Sequence, residues 1–439
     1  MSINRYVLLS TAACAGLLFG CAGPAVHGGG GGTGSREADP VERFASGVAW
    51  LADDARQGRG LGTDGLAEAG AWIESRFREL GLEPAGSGGA GFRHSFPATL
   101  ADPSNPHAEG TPTEAFNVVA RLSAGASDRL PGVVLVGAHY DHLGHGGPGS
   151  LAPDSDAIHN GADDNASGTM ALIESARALA ARRDHLRRDV VFVAFSAEER
   201  GLIGSSMFVH APPAGLRVDE IVAMLNMDMV GRLGDNRLQV LGGESAEEWP
   251  ELVGPKCEAL LLDCVISGDG FGSSDHASFF AAGVPVLHFF TGAHPDYHRP
   301  TDDADLVDAD GAVRIVHLVE TITEELARRE APLSLVRSSE PPARQMMTGG
   351  ARLGTIPDYA GPADGREGLL LSAVRPDSPA ERGGLRRGDL IVGIDDRQIR
   401  GIEDFMSVLS EATPGERATV RVERDGELLE LEVTYGGQG

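Results

Sequence analysis

The stretch Val133-Val134-Leu135-Val136-Gly137-Ala138-His139-Tyr140-Asp141 is a short apolar run that ends in an imidazole and a carboxylate. Its apolar part is too short for a helix and rich in valine, which predicts a strand buried on both faces. Similar runs occur at 116–122, 190–195, 221–225 and 284–289. Helical patterns lie between or after them at 166–181, 199–209, 250–262, 274–281 and 308–329. Upstream, Asp39-Pro40 opens a helix as cap and first-turn proline. A second helix over 63–80 sets Leu66, Ile73, Phe77 and Leu80 on one stripe and stops at Gly81. Apolar strands alternating with helices predict an α/β domain: a mostly parallel mixed sheet sandwiched by helices.

In such a sheet, functional groups gather beyond the carboxyl ends of the strands. Strand 133–137 runs into His139 and Asp141, strand 190–195 into Glu198-Glu199, and strand 221–225 into Asp228. Strand 284–289 is followed, after a loop, by Tyr297-His298. Gly161-Ala162-Asp163-Asp164-Asn165-Ala166-Ser167-Gly168 opens a helix between the first two. Each piece alone has an ordinary explanation, as a loop pair, a helix cap or a surface histidine. Together they converge on one crevice, where so many buried anions would be costly without a cation. Carboxylates and imidazoles sharing one further carboxylate suit two divalent metals, most naturally zinc.

The ordered motifs His-x-Asp, Gly-Ala-Asp-Asp-Asn-Ala-Ser-Gly, Ser-Ala-Glu-Glu-x-Gly-Leu-x-Gly-Ser, Asn-Met-Asp-Met and Tyr-His-x-x-x-Asp resemble the co-catalytic zinc aminopeptidases. That family is the bacterial leucyl aminopeptidase and aminopeptidase Y group, and the resemblance spans 39–329. It implies a zinc exopeptidase fold, two Zn²⁺ per chain, and hydrolysis of N-terminal residues from peptides by an activated water. By position, Asp164 would bridge both metals, His139 and Asp228 would complete one site, and Glu199 and His298 the other. Asp163 is the rival bridge, and the pattern Asp-x-x-Ser-Gly selects Asp164. Glu198 would be the general base, Asp141 would orient His139, and Tyr297 would hydrogen-bond the developing oxyanion. His142 and His145 flank the His139 loop and stay outside this ligand set. Ser273-Ser274-Asp275-His276 suggests a nucleophile cluster, but the chain contains no Gly-x-Ser-x-Gly elbow; Asp275 is expected to shape the pocket or cap a helix.

At 439 residues the chain has room for two or three domains. Lys plus Arg total 37 against 64 Asp plus Glu, a net charge of −27. That surface repels phosphate backbones and anionic headgroups, which excludes nucleic-acid binding as the main task. Residues 7–20 form an apolar run suited to a signal peptide and short of the roughly 20 residues a membrane span needs. Leu17-Leu18-Phe19-Gly20-Cys21 resembles a bacterial lipoprotein signal, implying lipidation of Cys21 in the cell envelope; the alternative is plain secretion with cleavage near Ala22-Gly23. Membrane contact is expected only through that anchor. Residues 22–38 form a tether, glycine-rich at 28–34. Cys257 and Cys264 can pair only if their helix ends near Leu262, and otherwise stay reduced and buried.

The first domain is expected over 39–330, a proline-bearing linker over 331–347 and a small β-rich domain over 348–437. Within the last, strands at 368–374 and 389–394 precede a helix at 402–412 and a hairpin, 418–424 and 428–434, turning at Asp425-Gly426. Arg352-Leu353-Gly354-Thr355-Ile356, Ser378-Pro379-Ala380-Glu381-Arg382-Gly383-Gly384-Leu385 and Arg387-Gly388-Asp389-Leu390-Ile391 resemble a bacterial PDZ domain. The resemblance implies that Leu353, Gly354, Thr355 and Ile356 receive the terminal carboxylate of a peptide or protein added as a strand. The opposing view makes Leu353 and Ile356 core residues beside a degenerate groove. Two other functions stay open: a carboxypeptidase or other amide hydrolase on the same fold, or a PDZ envelope scaffold with an inactive peptidase half.

Overall fold

The computed structural model describes residues 39–89, 91–100, 111–147, 149–152, 155–336, 351–357, 366–374, 378–401, 404–405, 408–409, 412–424 and 426–436. The signal run, Cys21 and the tether lie outside these residues, as do 337–347 of the expected linker. Nine strands of the larger part make one sheet: β1 (Glu83–Pro84), β2 (Arg93–Leu100), β3 (Thr111–Leu122), β4 (Val133–His139), β5 (Asp189–Phe195), β6 (Ile221–Met227), β7 (Arg237–Leu241), β8 (Asp263–Ser267) and β9 (Val286–Phe290). Its order is β1-β3-β5-β4-β6-β9-β7-β8, with β2 also on β3. The central strands β5, β4, β6 and β9 run parallel. The flanks add antiparallel pairings of β3 with β5 and of β7 with β9.

The helices are α1 (Pro40–Leu51), α2 (Asp64–Glu79), α3 (Gly168–Ala181), α4 (Ile203–His210), α5 (Trp249–Ala259), α6 (His276–Ala281) and α7 (Ala309–Arg328). Side-chain oxygens cap three of them: Asp39 accepts from Val41 N (2.9 Å), Thr63 from Leu66 N (3.1 Å) and Asp308 from Gly311 N (3.0 Å). Successive strand residues face opposite ways, and β4 buries both sets. Val134, Val136 and Ala138 join a core with Phe44, Ile73, Phe77, Leu172 and Ile315. Val133 and Leu135 join a second core with Phe208 of α4 and Phe279 of α6. The predicted sandwich is therefore the observed one.

Several boundaries differ from expectation. The helix expected from Glu199 begins at Ile203, because Ala197 and Leu202 take left-handed backbone angles (φ 57° and 60°) and leave both glutamates in a loop. The helix expected from Ala166 begins at Gly168, after an irregular turn in which Asp164 and Asn165 have non-helical angles. In the larger sheet, strands β1, β2, β7 and β8 go beyond the expected set; they are short or half-buried and carry Glu, Arg, His, Gln or Asp, so no continuous apolar run announces them. The start of the expected linker packs onto the domain: Leu335 bridges Ala246, and Glu248 accepts from Ser334 N and Oγ. α5 ends at Ala259, the chain reverses at Leu261 (φ 55°), and Cys257 and Cys264 form a disulfide with Cα atoms 6.1 Å apart. Among the described residues, no helix is long and apolar enough to cross a membrane.

The smaller part has its own antiparallel sheet of β10 (Thr355–Pro357), β11 (Leu369–Val374), β12 (Leu390–Ile394), β13 (Arg397–Gln398), β14 (Arg417–Arg424) and β15 (Glu427–Thr434), with a short helix α8 (Pro379–Arg382). β14 and β15 form the expected hairpin, in register from Arg417–Thr434 to Arg424–Glu427. A separate core gathers Leu353, Leu371, Ala380, Leu385, Ile391, Val420, Val422 and Tyr435. Buried Asp389 accepts from Arg424 Nε and Nη2 (2.6 and 2.7 Å). Most of the helix expected at 402–412 lies outside the described residues.

Candidate metal centre

β4 pairs with β5 on one side and β6 on the other, so a crevice opens beyond their carboxyl ends. His139 is the last residue of β4, and Thr169 Oγ1 donates to its carbonyl (2.8 Å). Its Nδ1 donates to the carbonyl oxygen of Asp141 (3.1 Å), which leaves Nε2 turned to Asp164 Oδ1 (3.4 Å) and Asp228 Oδ1 (3.2 Å). Asp228 Oδ2 accepts from Ser274 Oγ, which accepts from Asn226 Nδ2, both at 2.8 Å. The suspected nucleophile cluster thus steadies Asp228 through Ser274. Asp275 stands at the cap of α6 but makes no side-chain cap bond, and burial raises its pKa to about 7.

The second oxygen of Asp164 faces another group. Oδ2 lies 3.2 Å from His298 Nε2, and the same nitrogen lies 3.3 Å from Glu199 Oε2. His298 Nδ1 donates to Gly149 O (2.8 Å), fixing Nε2 as the inward atom. His142, excluded from the predicted ligands, also stands here, with Nδ1 2.7 Å from Glu199 Oε1 and 3.9 Å from Asp164 Oδ2. Two donor sets therefore share Asp164: His139–Asp164–Asp228 and His142–Asp164–Glu199, with His298 beside the second. Bonds of about 2.1 Å around a tetrahedral ion place its ligand atoms about 3.4 Å apart. The separations of 3.2–3.4 Å at His139 and at His298 match that spacing, and N/O donors of this kind suit zinc.

The loops are held by buried polar contacts. Asp302 Oδ2 accepts from the main-chain amides of Asp163 and Asp164 (2.9 and 3.0 Å), and its Oδ1 accepts from Arg232 (3.1 Å). Asp163 turns away from the crevice, accepting from Ser167 Oγ (2.9 Å) and Gly231 N (2.6 Å), so Asp164 alone of the pair faces both sets. Fully buried Arg59 donates to the carbonyls of Leu51, Tyr140, Asn160 and Gly161, at 2.7–2.9 Å. One guanidinium thereby ties the His139 loop to the Asp164 loop, although burial lowers its pKa to about 10. Arg59 and Asp302 carry no sequence signal of this duty, except that Asp302 closes the motif Tyr-His-x-x-x-Asp.

Adjacent glutamates are pushed in opposite directions. Burial raises the Glu198 pKa well above the usual range; His139 opposes this, and Glu199, Asp228 and Asp275 add to it. Burial also raises Glu199, but His298 and hydrogen bonds from His142 and His298 override it and hold the group low. Burial works to lower His298, yet Glu199 and Asp164 carry it to about 10. His139 is likewise raised well above its ordinary value despite burial, by Asp228, Glu198 and Asp164.

Asp141 meets His139 through its main chain. Its carbonyl, not its carboxylate, makes the near contact with His139; the carboxylate Oδ1 stands 3.9 Å from Nδ1 and accepts from Glu198 N (3.1 Å). Burial raises that carboxyl to about 6. Tyr297 stacks on His298, ring centroids 3.9 Å apart. In the small domain, Leu353 is 1% exposed and its side chain belongs to the core, while its carbonyl accepts from Ala380 N (2.8 Å). Gly354 (φ 76°) and Thr355 are half-buried beside it, and Ile356 pairs with Ala373.

Residues 117–323 match the sequence model of peptidase family M28, and residues 351–435 match that of the PDZ domain. The chain thus joins an M28 peptidase domain to a C-terminal PDZ domain. Aminopeptidase YwaD of Bacillus subtilis (strain 168) is 31% identical over 211 residues, 46% of this chain and 42% of that protein. A probable leucine aminopeptidase of Arthroderma otae is 30% identical over 210 residues, 44% of this chain and 54% of that protein. The chain spans about half the length of the curated relatives it matches. Among solved structures, a zinc aminopeptidase from Bacillus subtilis superposes with a TM-score of 0.50 at 21% identity, covering 66% of this chain and 96% of that one. A glutaminyl cyclase from Porphyromonas gingivalis gives 0.52 at 19%, covering 65% and 98%. These two likenesses are of fold.

Proposed function

We propose that the chain is a zinc-dependent aminopeptidase that removes N-terminal residues from peptides. The carrying observation is Asp164, whose two oxygens face separate donor sets. The M28 match and the relatives named aminopeptidases support the same reading. His139, Asp164 and Asp228 would hold one zinc, and Asp164, Glu199 and His298 the other. Bound there, two zinc ions supply Lewis acidity at the scissile carbonyl and draw the pKa of water toward neutrality.

The chain's own residues do the rest. Glu198, a buried carboxylate that belongs to neither donor set, takes the proton of the attacking water and returns it to the departing amine. Asp141 fixes the Glu198 main chain. Asp302 holds the amides of Asp163 and Asp164, keeping the bridging carboxylate in place. Tyr297, stacked on His298, is assigned the hydrogen bond to the developing oxyanion.

The PDZ domain is assigned a free peptide or protein C-terminus, received by the main chain of 353–356. Export, with a lipid on Cys21, completes the proposal and puts the enzyme in the cell envelope facing the periplasm. The test is metal analysis together with hydrolysis of one peptide in unblocked and amino-blocked forms. Two zinc ions per chain and cleavage of the unblocked form only are expected. Release of C-terminal residues from the blocked form would make the protein a carboxypeptidase. Metal without any cleavage would leave the scaffold alternative.

A further inference from the structure

Four side chains, rather than three, converge on the second donor set. His142 Nδ1, His298 Nε2, Glu199 and Asp164 Oδ2 are all buried there, and His142 is the most enclosed, with a side chain 0% exposed. The His142 ring is locked by its surroundings. Its main-chain amide donates to Arg59 O (3.1 Å), and Gly161 presses so close that a Cβ there would lie 2.4 Å from His142 Cδ2. The rings of His142 and His298 stand 5.8 Å apart and 69° from parallel, as two imidazoles reaching one point from different sides.

We propose that His142 is a metal ligand through Nδ1, so that this position is met by two imidazoles and two carboxylates. The inference deepens the metal reading proposed above and rests on it. The contacts of His142, 2.7 Å to Glu199 and 3.9 Å to Asp164, straddle the roughly 3.4 Å ligand spacing of a tetrahedral ion. The two positions are then unequal. Position one has one imidazole and two carboxylates from the protein and keeps room for water and substrate. Position two has four protein donors, the closed pattern of a tightly held ion, and its two imidazoles favour Zn²⁺ or Cu²⁺. Position two fills first and releases its metal last.

The test uses the full chain stripped with chelator and titrated with Zn²⁺, and separately with one equivalent of Cu²⁺ read by electron paramagnetic resonance. Wild type should take two zinc ions with distinct affinities, and its first copper should show two coupled nitrogens. In His142→Gln the tighter zinc site should weaken beyond the ~10–100-fold that loss of an outer hydrogen-bond partner costs. The copper signal should fall to one nitrogen, while the weaker zinc site is unchanged. His142→Asn gives the same readout should the glutamine variant fold poorly. Unchanged affinities, or a weakened site that retains two coupled nitrogens, would overturn the assignment and make His142 only a hydrogen-bond partner of Glu199. Failure of wild type to take up any metal would instead bring down the metal reading itself, and this inference with it.

Discussion

Glu198 and Glu199 are neighbours in sequence with opposite electrostatic fates. Glu199 meets two imidazoles and stays ionised, as a ligand must; Glu198 meets mainly burial and other carboxylates and is poised to hold a proton. The pair therefore divides the work of binding and proton transfer. Glu198→Gln is expected to keep both zinc ions and lose about 10²–10⁴-fold in kcat, the usual share of a positioned base. Metal analysis alongside steady-state kinetics checks this, and near-normal turnover in a zinc-loaded variant would remove Glu198 from the role. Asp302 acts at one remove from the donors, through the two amides it accepts from. Asp302→Ala is expected to weaken zinc binding about 10–100-fold, with partial recovery in Asp302→Asn, which keeps an acceptor. Equal zinc affinity in all three proteins would show that the Asp164 turn holds itself.

At the scale of elements, strand ends position the ligand loops. β4 and β6 deliver His139 and Asp228 directly, because parallel strands end side by side in register. The α5–β8 turn is stapled by Cys257–Cys264 on the far flank of the sheet. Closing so short a loop restricts the unfolded chain by about 2 kcal/mol. Cys257→Ser should lower the melting temperature by a few degrees, roughly 2–4 °C per kcal/mol for a domain of this class, without changing zinc content. Calorimetric scans of both proteins with zinc bound would decide it; an unchanged midpoint would mean the turn is held by packing alone.

Over the whole molecule, the sheet brings groups from five stretches of chain into one buried pocket, and their charges must balance. The carboxylates raise the pKa values of His139 and His298, the latter to about 10, so His298 carries a proton at neutral pH until a metal replaces it. One such histidine serves each position. Because the His298 value lies above 7, protons compete with zinc throughout the range below it, and lowering the pH weakens binding. Zinc affinity should fall about tenfold per pH unit for each displaced proton between about pH 8 and 6, with proton release on loading. Titration calorimetry in buffers of different ionisation enthalpy measures both, and a pH-independent affinity would contradict the charge balance.

Much of this is legible in the residues themselves. Central parallel strands are buried on both faces and so appear as mostly apolar runs, as β4, β5, β6 and β9 do, with His288 inside the last. Because such sheets collect function at strand ends, the order of the chain already groups His139, Asp164, Glu199, Asp228 and His298, and the structure brings all five together. Tertiary structure alone decided the rest. His142 meets Glu199 in a loop whose main-chain amide is bonded to the carbonyl of Arg59, far away in sequence, and the Arg59 side chain holds two ligand loops only once they are folded against it. The Asp141 carbonyl rather than its carboxylate meets His139, and the reversal at Leu261 lets the two cysteines pair. Burial periodicity and strand-end chemistry are local properties that a sequence carries in its order; main-chain contacts between distant loops have no residue code and arise only when packing brings them together.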